Sequence, residues 1–263
     1  MRLSSLTCAA ALAVVGVLAP AGTAAASVTT TNSTDVGLFG ASDPTYDGAF
    51  RQSLGLLAEK VAGVHDSAAI TWLVDQQCPD GGWTAYRSDL SKPCPATDLS
   101  AFTGEDSNST ALAVQALHLL GVTPKHDAVA FLHSLQDSDG GFPLIAGSGT
   151  DPNSTALVVQ AIQAVGQDPT SGSWTTGGHT PIDALMASWV NCPGADAGAF
   201  SSPYSSGHGD LVASVQAVWG VERAAFPITG SPTSAQPTPD CSGGAVSPTP
   251  ARISDRNSSG PAP

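Results

Sequence analysis

Basic residues are scarce in this sequence. Nine Lys and Arg stand against 22 Asp and Glu, so the formal net charge is −13 with His neutral. Binding to nucleic acid, or to an anionic membrane surface, needs Lys and Arg to neutralise phosphates. The composition therefore predicts no nucleic-acid partner, and a surface this acidic favours solubility.

The sequence also lacks an apolar run long enough to cross a membrane as a helix. Near the N-terminus, AAALAVVGVLA follows Arg2 and precedes the small residues TAAA before Ser27. A short apolar segment between a positive charge and small residues is typical of a secretory signal peptide. We therefore predict a signal peptide over residues 1–26, a secreted mature chain and no membrane span.

Cysteine spacings that bind zinc are missing, because the sequence has no CxxC pair and no paired-histidine motif. We predict no metal site. Four cysteines follow the signal peptide, and an even number in an exported chain indicates disulfides, with three pairings open. We favour the pairs that close local loops, Cys78–Cys94 and Cys192–Cys241. In the chain-entropy model, the first loop stabilises the fold by about 3 kcal/mol.

Apolar residues become scarce again at the C-terminal end. Residues 226–263 are rich in Pro, Ser, Thr and Gly, a composition that cannot bury a core. We predict a disordered Pro/Ser/Thr-rich tail over 226–263, a flexible N-terminal segment over 27–44, and a folded domain over 45–225.

Two repeated segments organise the folded domain. WLVDQQCPDGGW at 72–83 returns as FLHSLQDSDGGF at 131–142, and DSNSTALAVQAL at 106–117 returns as DPNSTALVVQAI at 151–162. The first segment has apolar residues at helical spacing and ends at two glycines, which predicts an outer helix and a turn. The second is apolar on nearly every side after N-cap residues, which predicts a buried inner helix.

A third, weaker copy follows. PIDALMASWVNCPGADAGAF at 181–200 predicts an outer helix and turn, with Asn191 in the place of the glutamine, and GHGDLVASVQAVWG at 207–220 predicts an inner helix. A lone inner helix precedes the first copy. We therefore predict an all-α fold of about seven helices in helical hairpins, each resting on its neighbours.

The 72–83 and 131–142 segments resemble the QW repeat of squalene and hopene cyclases, also found as the prenyltransferase/squalene oxidase repeat. The resemblance covers roughly residues 46–221 and implies the α/α-toroid superfamily, which includes protein prenyltransferases and transcobalamin-type carriers. It implies a scaffold role for Gln77, Trp83, Gln136 and Phe142. Seven helices are too few for a complete toroid, which implies an open arc or closure in a homodimer.

The acid motif of the cyclases is altered in this chain. Those enzymes carry Asp, any residue, Asp, Asp, Thr, Ala, and the middle Asp protonates the substrate. DSNSTA and DPNSTA have Asn108 and Asn153 at that position, and an amide has no proton of useful acidity. The resemblance therefore implies that cyclase chemistry is absent. With Gln216 aligned on the inner-helix glutamines, Asp210 falls in register with Ser109 and remains a catalytic candidate.

The predicted starts of the inner helices bring polar residues to one end of the domain. These are Arg51, Gln52, Asp106, Asn108, Asp151, Asn153, His208 and Asp210. Two interpretations stay open. The residues cap helices, each cap typically contributing about 1 kcal/mol, or they form a polar rim around an apolar ligand cavity.

We therefore expect a secreted, non-catalytic protein that binds an apolar small molecule or a partner and needs no cofactor. A terpenoid, a lipid or a corrin-like ligand would fit such a cavity. One alternative is a diverged terpene cyclase or prenyltransferase-like enzyme that uses Asp210. A second alternative is an extracellular structural scaffold.

Overall fold

The computed structural model describes residues 35–40 and 43–228, and α-helices are the main regular structure of this part of the chain. Its seven α-helices are α1 Gly48–Val61, α2 Ser67–Asp75, α3 Ser107–Leu120, α4 Ala128–Ser134, α5 Pro152–Ala164, α6 Pro181–Ala187 and α7 Leu211–Val221. A 3-10 turn covers Gly172–Trp174, and β1 Trp83–Thr84 pairs antiparallel with β2 Glu105–Asp106. The predicted seven-helix fold is confirmed, with this small sheet as an addition.

Long and short helices alternate along the chain. The long helices pack in chain order, α1 against α3, α3 against α5 and α5 against α7, and we call these four the long-helix row. The short helices α2, α4 and α6 pack on the long helices that precede them. Consecutive helices therefore form the hairpins α1–α2, α3–α4 and α5–α6.

Helices α3 and α5 occupy the centre of the row. Every residue from Ser109 to Leu117 and from Ser154 to Ile162 is buried. Small residues let the neighbouring helices approach closely: a Cβ added to Gly220 of α7 would lie 2.8 Å from Cα of Ala156. Burial on all sides explains why these two helices are apolar all round.

Acidic and hydroxyl side chains define where the helices begin. Six of the seven helices start with a side chain that accepts hydrogen bonds from backbone amides of the first turn: Asp66, Asp106, Asp127, Asp151, Thr180 and Asp210. Helix α1 is the exception, because Asp47 makes no such bond. These caps satisfy amides that have no partner within the helix.

The glutamines of the repeat connect one hairpin to the next. The Gln77 amide donates to the carbonyls of Gly81 and His126, and its oxygen accepts from the His126 amide. Gln136 donates in the same way to Gly140 and Trp174. Each glutamine thus joins its own turn to the segment that leads into the next short helix.

The returning aromatic residues are fixed by a second repeated contact. The backbone amides of Trp83 and Phe142 donate to the hydroxyls of Thr110 and Thr155, at 2.9 and 3.0 Å. Each hydroxyl donates in turn to the carbonyl of the N-cap aspartate of its own helix. The threonine that follows the N-cap aspartate by four positions therefore hydrogen-bonds each turn to the start of the next long helix.

Two residues outside the predicted 45–225 domain pack against its core. Leu38 is 2% exposed and belongs to the core, so the predicted 27–44 segment includes a residue that packs against the domain. Phe226 also packs against the core, although the predicted tail begins there. The predicted signal peptide at 1–26, residues 27–34 of the predicted flexible segment and the predicted tail beyond residue 228 lie outside the described residues.

One predicted disulfide is confirmed. Cys78 and Cys94 are bonded, with their Cα atoms 6.0 Å apart. Cys192 is also disulfide-bonded. The pairing with Cys241 remains a prediction, because Cys241 lies outside the described residues.

Candidate functional site

A cavity of about 450 Å³ lies at the N-terminal end of α3. The start of α1 and the loop between β1 and β2 form most of its wall. Its aromatic lining consists of Tyr46, Phe50, Tyr86 and Phe102, and its polar lining includes Thr84, Thr103, Asp106, Asn108 and Ser109. An apolar wall with a few polar groups at one end is the usual construction of a small-molecule site.

Asp106 and Asn108 are the two predicted rim residues that line this cavity. Asp106 also caps α3, since its carboxylate accepts a 2.6 Å hydrogen bond from the Ser109 amide. Burial raises the pKa of Asp106 to about 6, although the amides of Ser109 and Asn108 act in the opposite direction. Capping and lining, which the sequence analysis treated as alternatives, coincide in this residue.

The β1–β2 loop, residues 85–104, is held in place at several points. The disulfide fastens Cys94 to the turn after α2. The buried Gln76 side chain accepts from the Arg87 amide and donates to the Arg87 carbonyl. The Arg87 guanidinium donates to the carbonyls of Gln77 and Lys92. The wall of the cavity is therefore attached to the repeat scaffold.

Arg51 and Gln52 do not line the cavity. Arg51 forms an ion pair with Asp47 on the same helix, at 2.9 Å. Gln52 is fully buried, and its side chain bonds the backbones of Gly37, Phe39 and Ala69. It attaches the N-terminal segment to α1 and α2.

The remaining rim residues form a separate group at the starts of α5 and α7. Asp151 caps α5, and Asn153 donates a 2.9 Å hydrogen bond to Gln216 of α7. Burial raises the pKa of Asp151, and the nearby charge of Asp210 raises it further. His208 is largely exposed and pairs with Asp196. The predicted rim is therefore not continuous: two of its residues line the cavity, Arg51 and Gln52 lie outside it, and the other four lie at the starts of α5 and α7.

The third copy is in a different register from the one predicted. Asp210 is the N-cap of α7, so it corresponds to Asp106 and Asp151 and not to Ser109. Its carboxylate accepts from the Ala213 amide and from the Ser202 hydroxyl. This position identifies Asp210 as a cap and removes the alignment that made it a catalytic candidate.

The same shift changes two other assignments. Trp189 pairs with Phe200 as Gln77 pairs with Trp83, so Trp189, and not Asn191, occupies the place of the glutamine. Trp219 occupies the place of Gln115 and Gln160, nine positions after the N-cap, which the sequence alignment had given to Gln216. The weak copy was aligned on a glutamine, whereas its cap defines the register.

Two carboxyl groups, those of Glu105 and Asp80, are neighbours in the first repeat. Oε1 of Glu105 is buried with no hydrogen-bond partner in the described part of the chain. Burial is the main cause that raises the pKa of Glu105 to about 8, and the neighbouring Asp80 contributes to the same rise. In the second repeat, Thr150 occupies the equivalent position and donates to Asp139 at 2.7 Å. The first repeat therefore has a carboxyl group with a raised pKa where the second has a hydroxyl that donates to a carboxylate.

A second cavity, of about 650 Å³, lies at the opposite end of α3. His118, Lys125, His126 and Asp127 are among its lining residues. It has no aromatic side chain other than the two histidines and none of the predicted rim residues. We prefer the smaller cavity as the candidate site for that reason.

Sequence reasoning missed the aromatic residues of the site. Tyr46 and Phe50 precede or begin α1, and Tyr86 and Phe102 lie in the loop that only the first repeat contains. The available signal was the length of that loop: Trp83 and Asp106 are 23 positions apart, whereas Phe142 and Asp151 are nine apart. Loops of unusual length are often functional.

No family model matches the chain, and no curated protein matches it significantly. Within residues 35–40 and 43–228, no helix has both the length and the apolar character needed to cross a membrane.

Proposed function

We propose that this protein is a secreted, non-catalytic binding protein whose ligand occupies the 450 Å³ cavity at the start of α3. The cavity itself is the observation that carries this proposal. Its volume falls within the range of about 300–1,000 Å³ that is usual for small-molecule sites. Its lining combines four aromatic side chains with Asn108 and the carboxyl group of Asp106.

The ligand we propose is a terpenoid or lipid with at least one polar group. The aromatic walls favour an apolar body, because burial of apolar surface contributes about 25 cal/mol per Å². The amide of Asn108 and the carboxyl group of Asp106 can exchange hydrogen bonds with a hydroxyl or carbonyl group. A corrin macrocycle is larger than such a terpenoid and fits this volume less well.

We also propose that the long-helix row is an open arc of the α/α-toroid type. The order in which the long helices pack supports this assignment, as do the repeated glutamine contacts between hairpins. Secretion is supported by the predicted signal peptide and is compatible with the Cys78–Cys94 disulfide.

Native mass spectrometry of the mature protein from its culture medium tests the proposal. We expect a discrete molecule that leaves the protein on activation. Purified, ligand-free protein should bind the neutral apolar dye Nile red saturably. Phe102→Ala and Asn108→Ala should each weaken that binding roughly ten-fold, which corresponds to 1.4 kcal/mol.

Asn153→Ala is the matched control, because Asn153 has the same position in the second repeat but lies outside the cavity. It should leave dye binding unchanged. A bare protein whose dye binding is insensitive to Phe102 and Asn108 would contradict a ligand site here.

A further inference from the structure

Gln115 and Gln160 are equivalent residues in neighbouring repeats. Each lies nine positions after the N-cap of its helix, on α3 and α5. Both are almost completely buried, at 0% and 2% exposure. The two side-chain amides therefore lie at equivalent positions on adjacent helices and form a pair of hydrogen-bonding groups.

The segment after α7 lies across these two glutamines. Nε2 of Gln160 donates to the carbonyl of Ala224 at 2.6 Å, and Oε1 of Gln115 accepts from the amide of Phe226 at 3.0 Å. Both bonds go to the main chain, two residues apart. The Phe226 side chain packs against the core next to them.

The segment uses only part of what the glutamines offer. A glutamine side chain carries one acceptor oxygen and an NH₂ donor. Nε2 of Gln115 is buried and has no partner in the described part of the chain. A buried donor without a partner is costly, so a different backbone with a carbonyl at this point would bind better there.

We propose that Gln115 and Gln160 form a binding site for an extended peptide backbone, and that residues 224–226 occupy it as an intramolecular ligand. The partner that fits is a peptide with a basic residue, two small residues and an aromatic residue, as in Arg223–Phe226. The aromatic residue occupies the place of Phe226. The basic residue pairs with Asp168, which Arg223 contacts at 3.4 Å.

The geometry of the segment makes it replaceable. It begins directly after α7, so its tethered concentration is on the order of millimolar and blocks weak competitors. Arg223 has φ +54°, whereas α3 and α5 end with glycines at positive φ. A non-glycine residue in this region is strained, which opposes the docked position of the segment.

A fluorescein-labelled peptide of residues 222–228 tests this inference on the full mature chain by fluorescence anisotropy. Phe226→Ala in the protein should weaken the internal competitor and strengthen peptide binding roughly ten-fold relative to the unsubstituted chain. Adding Gln160→Ala to that variant should reverse the gain.

A second peptide, N-methylated at the phenylalanine, lacks the N–H that donates to Gln115. It should bind roughly ten-fold more weakly than the unmethylated peptide. Equal binding of the two peptides would overturn the proposal, because it would mean that the contact is apolar and not directed by the backbone. No gain in a folded Phe226→Ala chain would overturn it as well.

Should Phe226→Ala fail to give a native circular dichroism spectrum, Arg223→Ala provides the second variant. It removes a partly exposed ion pair and leaves the core untouched. We expect a gain of about three-fold in peptide binding. An unchanged affinity in this variant would count against the inference.

Discussion

The first two repeats share a scaffold and differ in one loop. Both fix the returning aromatic residue through a threonine and both use a glutamine to reach the next hairpin. The first has 22 residues between Trp83 and Asp106, whereas the second has eight between Phe142 and Asp151. The cavity exists where the longer loop closes over the start of α3.

Two of the residues that differ between the repeats anchor the loop. Cys78 of the first repeat corresponds to Asp137, and Gln76 to Leu135. Cys78 and Gln76 anchor the loop through the disulfide and through the backbone of Arg87. The threonine and glutamine contacts of the scaffold are therefore repeated, whereas the candidate site depends on a loop that the second repeat lacks.

The largest expected effect concerns the glycine turns, which both repeats share. A Cβ on Gly81 would collide with the carbonyl of Asp127, and one on Gly140 with that of Thr180, and both glycines have positive φ. Gly81→Ala and Gly140→Ala should each reduce the free energy of unfolding by about 4 kcal/mol, from strain and overpacking together. Urea denaturation measures this loss.

Gly121→Ala is the control for the turn variants, because its added Cβ would meet nothing within 4 Å. This variant should reduce the free energy of unfolding by only about 1 kcal/mol, because the left-handed backbone is then the sole source of strain. Equal losses in all three variants would contradict a tight junction between repeats.

Next in size is the disulfide, which only the first repeat has. Replacing Cys78 and Cys94 together by Ser should reduce the free energy of unfolding by about 3 kcal/mol. It should also weaken Nile red binding, because the loop wall is released. Retained dye binding in a folded variant would show that the cavity does not depend on the loop anchor.

Thr110→Val and Thr155→Val compare the shared contact directly. Each removes the hydroxyl that accepts a hydrogen bond from the buried backbone amide of Trp83 or Phe142. Each should reduce the free energy of unfolding by about 2 kcal/mol. Thr110→Ser and Thr155→Ser keep the hydroxyl and serve as controls. Losses that differ by more than about 1 kcal/mol between the two Val variants would mean that the repeats are not equivalent here.

The smallest effect concerns the ionisation of Glu105. Its pKa is raised from 4.5 to about 8, so its contribution to stability is complete below pH 4.5 and is lost as the pH rises through 8. Glu105→Thr, which copies Thr150, should remove this loss. The variant should be more stable by about 1 kcal/mol at pH 8, after allowance for solvent screening, and should lose this advantage near pH 4.5.

Thermal unfolding at several pH values measures that difference. Thr150→Ser keeps the hydroxyl in the second repeat and should not change the pH dependence. A constant gap between the Glu105→Thr variant and the unsubstituted chain at all pH values would contradict a raised pKa.

Repetition explains what could be predicted from the sequence. The glycine turn and the largely apolar long helix each occur twice, as α3 and α5 show, so each copy supported the interpretation of the other. Asp210 was misaligned because α7 has Val212 where the other copies have Asn108 and Asn153, and has a glutamine, Gln216, three positions before the place of Gln115 and Gln160. The lining residues Tyr46 and Phe102 come from segments that occur once, and their approach depends on tertiary packing.

In the third copy, Trp189 occupies the position of the repeat glutamine, and this difference bears on how such a chain can change in length. Gln77 and Gln136 each attach a following unit, whereas Trp189 packs edge-on against Phe200, 5.2 Å away, inside its own unit. Each of these glutamines hydrogen-bonds the segment that leads into the next short helix. A duplicated unit would therefore contain both the glutamine and a segment for a glutamine to bind. An internal duplication of the first or second unit would therefore extend the array with contacts of the same kind, whereas the unit that contains Trp189 lacks a glutamine at this position to attach a following one.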